Sequence, residues 1–349
     1  MKLLVRILYV VIISLIFLFA LELPKYHFSQ KSDENSLNIF VWGDFFPEET
    51  FRKFEKESGI HLNINHYTSN EELILKLEKS DGKGYDLIFP SDYGVTALRE
   101  KGLLKSLDPT KLNFWHRLEP YLLDRPFDPG NQFSIPYFWE VYGIAFEKIK
   151  KLPHSLSTLF EGDHKVVMTA DAVEAIDFAA HYLYGYKSSL SIEEESNVLT
   201  LLKQQKNQIE AYTDDRVQYV ISSENCPVAI LRISFFWKNY AEFSHLDLQL
   251  PKEGLFTTIE NVALSINAKH TDAAYKFINF IYQAEIMAAQ LNLSPLFPAC
   301  RDALPFASFS HIPRYHEIFS EIQSRSDFYF THYLLPPHRI RPFWVEVKS

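Results

Sequence analysis

Leu37-Asn38-Ile39-Phe40-Val41-Trp42-Gly43-Asp44 is an apolar run that ends in a turn, and together with the next 60 or so residues it sets the fold class. Pro47 is placed to open a helix, Phe51 and Phe54 share one face of it, and Gly59 stands just past its end. Residues 60–64 then alternate as a strand does. Asn70 is a suitable helix cap, with Leu73, Ile74 and Leu77 as the buried stripe behind it. Tyr85-Asp86-Leu87-Ile88-Phe89 is the next strand, closed by Pro90-Ser91, and residues 94–101 form a helix stopped by Gly102. This β-α-β-α-β-α order predicts an α/β fold, a parallel sheet with helices on both faces.

Further along the chain, residues 108–121 and 124–132 are rich in Pro, Asn and Asp and read as long surface connections. A second α/β unit comes next. Residues 144–146, 165–169, 227–231 and 262–266 read as strands, and residues 171–182, 192–206 and 272–290 as helices, the last strongly amphipathic. The tail from residue 303 is helical in part, then aromatic and proline-rich. There is no internal repeat.

Before this body, Lys2 and Arg6 precede an apolar run over residues 7–21, the pattern of a secretory signal. The run is short for a membrane span, which needs about 20 residues. The stretch after it lacks a small-x-small cleavage pattern, so an uncleaved anchor stays open as an alternative. No Cys lies near, so a lipid anchor is not expected. Residues 24–36 read as a polar linker, giving residues 1–21 as signal or anchor and 22–36 as the connection.

The 349 residues suffice for two domains, and 47% hydrophobic with 23% charged residues is globular composition. Gly is scarce at 11 and Phe abundant at 29, which predicts a large aromatic core. The net charge of −9 argues against a protein that coats nucleic acid and permits a cationic ligand. Cys226 and Cys300 both lie in apolar surroundings and are read either as a pair or as two buried thiols. No dinucleotide, phosphate-loop, nucleophile-elbow or zinc-protease motif is present. His311 and His316 are too weakly spaced for a metal, so no metal, cofactor or catalytic residue is assigned and an enzyme is not expected.

In open parallel sheets ligands bind beyond the carboxyl ends of the strands. Trp42, Gly43 and Asp44 end the first strand here, and Ser91, Asp92 and Tyr93 end the third. Asp171 and Glu174 come after the strand at 165–169 and share a helical face at i, i+3 spacing. Taken singly, Asp171 is a helix cap, Glu174 a solvated first-turn acid and Trp42 a core residue. Taken together, aromatic faces and carboxylates are what an organic ammonium needs.

These stretches carry a resemblance. Residues 37–47 with Phe54-Glu55-Lys56-Glu57-Ser58-Gly59-Ile60 resemble the periplasmic spermidine/putrescine-binding proteins, the substrate-binding subunits of polyamine ABC transporters. The similarity runs on through Pro90-Ser91-Asp92-Tyr93, Pro126-Phe127-Asp128-Pro129, Ser134-Ile135-Pro136-Tyr137-Phe138-Trp139, Thr169-Ala170-Asp171-Ala172-Val173-Glu174 and Pro251-Lys252-Glu253-Gly254. It implies a type II, two-lobed periplasmic binding protein, each lobe a mostly parallel sheet flanked by helices, joined by a hinge. One lobe would hold residues 37–143 plus 258–308 and the other 144–257 plus 309–349. The protein would be a periplasmic monomer that captures spermidine or putrescine and delivers it to a membrane permease.

By the same resemblance Trp42 and Tyr93 would be aromatic walls, and Asp44, Asp171, Glu174 and Glu260 would meet ammonium groups. Ser91 would add a hydrogen bond, and Phe45 would keep a ring where the family often has Tyr. Arg232 and Thr258 stand where a Trp is expected, and Leu293 where a Tyr is expected. Asp327 is a loose candidate for the tail residue that closes the cleft. Arg232 matters most, because a fixed cation in a polycation site is costly unless an acid such as Glu260 or Asp171 neutralises it. The alternatives are an anionic or zwitterionic ligand read by Arg232, or a membrane-tethered sensor.

Overall fold

The computed structural model describes residues 35–43, 45–149, 152–213, 217–221, 228–238, 245–309, 312 and 314–349. The signal or anchor segment, most of the linker, Asp44, Cys226, Pro227 and His311 lie outside the described residues. The strands are β1 Ser36–Trp42, β2 His61–Tyr67, β3 Leu87–Ile88, β4 Leu104–Lys105, β5 Ser134–Glu147, β6 Val166–Met168, β7 Ile209–Tyr212, β8 Val228–Arg232, β9 Leu246–Gln249, β10 Leu255–Ser265, β11 Phe297–Pro298 and β12 Phe328–Phe330. They join in one sheet with the path β2-β1-β3-β10-β5-β8-β6-β7.

The expected parallel pairing holds toward both ends of this path. β1 pairs parallel with β3, and β6 pairs parallel with β7 and β8. The middle differs: β10 runs antiparallel to β3 and β5, and β5 antiparallel to β8. The sheet is therefore mixed. The cause is two long strands that the sequence shows only at their ends, at 144–146 and 262–266. β5 is 14 residues long and β10 is 11, and apart from Glu147 every residue in them is buried. A strand covered on both faces has no alternation to read, and Pro136 and Glu140 further disguise β5. Residues 134–141 of β5 pair with β10, while residues 142–147 pair with β8 and β9, so one strand serves both groups.

Local signals were more accurate. The helix Glu48–Ser58 ends at Gly59 in the left-handed region, with Glu48 and Glu49 exposed in its first turn. The helix Asn70–Ser80 buries Leu73, Ile74 and Leu77, but Ser69 caps it, accepting from Glu72 N at 3.2 Å. Asn70 is buried and bonds Ser91 instead. The helix after β3 begins at Asp92, two residues early, and residues 271–293 form two helices, Thr271–Ile281 and Ala284–Leu293. The core is aromatic as expected, with Phe46 meeting Phe89, Tyr137 and Phe277 at 5.3–6.2 Å between centroids. Among the described residues no helix is long and apolar enough to cross a membrane.

The start of β5 depends on Asp128. This buried carboxylate accepts from the backbone N–H of Gln132, Phe133 and Ser134 at 3.1, 3.0 and 2.7 Å and from Ser134 Oγ at 2.8 Å. Asp128→Ala strands four donors at once and is expected to lower stability by about 3 kcal/mol. Urea unfolding measures this, and a loss below about 1 kcal/mol contradicts it.

Candidate functional site

β8 delivers Arg232 at its carboxyl end, where the carboxyl groups of Glu174, Glu260, Glu140 and Asp92 act on it. Nη2 lies 2.9 Å from Glu174 Oε1 and Nη1 3.9 Å from Glu260 Oε1. Nε donates to the Tyr142 hydroxyl at 2.8 Å. Glu174 sits in the first turn of the helix Ala172–Tyr184 and takes a further bond from Thr169 Oγ1 at 2.7 Å. Its side chain is 1% exposed and that of Arg232 22%, so this is a desolvated ion pair. The solvated-acid reading of Glu174 is thereby corrected: the helix turns that face inward.

Asp171 fulfils two roles. Oδ1 caps the same helix, accepting from Val173 N at 2.8 Å and Glu174 N at 3.2 Å. Oδ2 accepts from the Tyr93 hydroxyl at 2.6 Å. Of the two acids expected to neutralise Arg232, Glu260 pairs with it at 3.9 Å while Asp171 is committed to Tyr93, and the closer partner is Glu174. Trp42 donates its indole N–H to Glu260 Oε2 at 2.8 Å and packs on Tyr67 at 4.5 Å.

Two members went unassigned in the sequence. Asp92 is fully buried; one oxygen accepts from Tyr93 N at 2.9 Å and Oδ2 has no partner among the described residues. Its place after Ser91 was visible, its burial was not. Glu140 of β5 is buried and accepts from Ser234 N at 3.2 Å. Nothing in the local sequence marks it.

Burial raises these acids above their usual range. Asp171 is pushed up to about 8 by burial and by repulsion from Glu174 and Glu71. Glu260 is pushed up to about 7 by burial, although Arg232 and Trp42 pull the other way. Glu140 rises by burial against the pull of Arg232, and Asp92 rises strongly by burial. Burial opposes the charge on Arg232, but Tyr142, Glu174, Glu140 and Glu260 together outweigh it. The cluster holds more acid than its one cation neutralises.

Residues 49–313 match the sequence profile of the bacterial extracellular solute-binding proteins. The chain belongs to this family. The spermidine/putrescine-binding periplasmic protein of Escherichia coli K12 is 29% identical over 267 residues, covering 73% of this chain and 74% of that one. Its counterpart in Salmonella typhimurium is 28% identical over 267 residues, covering 73% and 75%. A spermidine/putrescine ABC transporter structure from Listeria monocytogenes superposes with a TM-score of 0.79 at 25% identity, covering 90% of this chain and 99% of that one. The fold of this solute-binding protein is the type II periplasmic class.

Not every residue expected in the site of this solute-binding protein faces Arg232. Ser91 is buried, forms a β-bridge with Glu260 and receives a 2.5 Å bond from Asn70 Nδ2. Phe45 packs on Phe46, Phe89 and Tyr137 at 5.0–6.0 Å. Asp327 is held by Arg325 at 2.9 Å, and Leu293 is 38% exposed. Asp44 lies outside the described residues. Cys300 is free and buried, its thiol pushed up to about 12 by burial. Among the described residues no cluster of His, Cys, Asp or Glu is arranged to hold a metal.

Proposed function

We propose that this protein is the extracytoplasmic, monomeric substrate-binding subunit of an ABC importer and that it takes a polyamine beside Arg232. Four buried carboxyls around one guanidinium, with Asp171 beside Glu174, carry the reading. An entering ammonium lets raised acids ionise, and the faces of Trp42 and Tyr93 suit its methylenes. Relatives named for spermidine and putrescine support the same ligand class. Residues 37–143 plus 258–308 and 144–257 plus 309–349 form the two lobes, with β5 and β10 as the strands between them. Trp42, Tyr93, Asp171, Glu174, Arg232 and Glu260 make up the binding surface.

Arg232 stands in for part of the ligand's charge by occupying Glu174. Putrescine, with two amines, is therefore expected to bind more tightly than spermidine with three. Isothermal titration with putrescine, spermidine and succinate tests this. Arg232→Leu frees Glu174 and Glu260 and is expected to tighten spermidine binding about tenfold. Heat from succinate alone, lost in Arg232→Leu, would instead assign the site to an anion.

A further inference from the structure

A cavity of about 320 Å³ lies away from the Arg232 cluster, lined among others by Tyr121, Arg125, Trp139, Arg301, Arg325 and Phe328. It uses the other face of β5. Glu140 and Tyr142 reach toward Arg232, so Trp139, of opposite parity, points to the far side of the sheet. The volume falls in the range of small-molecule sites.

Three rings form its walls. Tyr121 meets Trp139 at 5.4 Å edge to face and stacks on Phe328 at 5.8 Å. Its three guanidinium groups are not equivalent. Arg301 pairs with Glu119, and Arg325 pairs with Asp327 at 2.9 Å and donates to Pro251 O at 2.9 Å. Arg125 donates only Nε, to Leu123 O at 3.1 Å, and lies 5.2 Å over the Phe330 ring. Among the described residues Asp124 acts on it only beyond ion-pair distance, and its two terminal nitrogens make no hydrogen bond. Trp139 is 1% exposed and its indole N–H is buried without an acceptor among the described residues. A cationic fork and aromatic walls are complementary to a flat anion.

We propose that this cavity binds a small organic monoanion with a flat apolar body, of the aryl carboxylate class. Arg125 takes the carboxylate through its planar fork, and the ring lies among Tyr121, Trp139 and Phe328. One negative charge suits the site, because Arg301 and Arg325 already have acid partners.

Isothermal titration of the whole protein with benzoate tests the assignment. One-to-one binding is expected, with a change in tryptophan fluorescence, and succinate and inorganic phosphate should bind about tenfold more weakly for want of a ring. Arg125→Leu should weaken benzoate about tenfold, Arg125→Lys should weaken it less, and Arg232→Leu should leave it unchanged. Thermal unfolding checks that each variant is folded, and Arg125→Lys decides the matter if Arg125→Leu is not. No benzoate binding at millimolar concentration, an affinity indifferent to both Arg125 variants, or loss in Arg232→Leu overturns the proposal. The last outcome would move benzoate to the Arg232 cluster.

Discussion

Glu174→Gln is expected to lower the unfolding free energy by about 3–5 kcal/mol, the usual loss when one partner of a buried ion pair is removed. Arg232 cannot shed its proton, so a neutral partner leaves a guanidinium with little access to water. Its second carboxylate, Glu260, stands 3.9 Å away and is already bonded to Trp42. Gln keeps the shape and can still meet Thr169, so the loss isolates charge rather than packing. The melting temperature should fall by about 10 °C. Replacing both members, Glu174→Leu with Arg232→Leu, should recover most of this, since a buried pair exchanged for apolar groups is often near neutral. A single variant as stable as the parent, or a double variant weaker than the single, would show that the pair is not a desolvated contact.

Putrescine should bind at least about tenfold more weakly at pH 6 than at pH 8. Asp171 at about 8 and Glu260 at about 7 are largely protonated at pH 6 in the free protein. The diamine keeps both charges throughout, so an ammonium that binds their ionised forms must displace protons. Below pH 7 each displaced proton weakens binding by up to about tenfold per pH unit. The sign for folding is opposite. Carboxyls raised in the folded protein hold protons that the unfolded chain has released above about pH 4. Their stabilising contribution is complete at low pH and is lost as pH rises through about 7 to 8. Titrations in buffers of different ionisation enthalpy count the protons. Release is expected, and Asp171→Asn, which keeps an oxygen for the helix cap, should reduce it. An affinity level between pH 6 and 8, or proton uptake, would sink the assignment.

Much of the outer fold was legible. The stripe Leu73, Ile74 and Leu77 is buried as its spacing required, and β1 pairs parallel with β3 as their order required. Asp171 was readable as a cap because capping is settled within three residues. The long central strands were not legible, since burial on both faces removes alternation. Asp92 and Glu140 were not assigned because adjacent residues do not reveal which acid a fold buries. Arg232 was conspicuous as a departure from the family pattern, and of its two expected partners Glu260 does pair with it, whereas Asp171, as the helix cap, bonds Tyr93 and leaves the closer contact to Glu174 one turn on.

By itself the sequence determined most of the helices, the parallel outer strands, the family and part of the charge around Arg232. Those properties arise from periodicity, capping and motif order, which act over a few residues. Only the tertiary structure decided how that charge is arranged. Arg232 meets Glu174 across 58 positions and Trp42 meets Glu260 across 218. Antiparallel pairing of β5 and β10 in the middle of the sheet brings these together, and alternation along β5 places Trp139 on the opposite face from Glu140. Desolvation depends on everything packed around a group, so the raised acids and the buried ion pair exist only once the chain has closed around them.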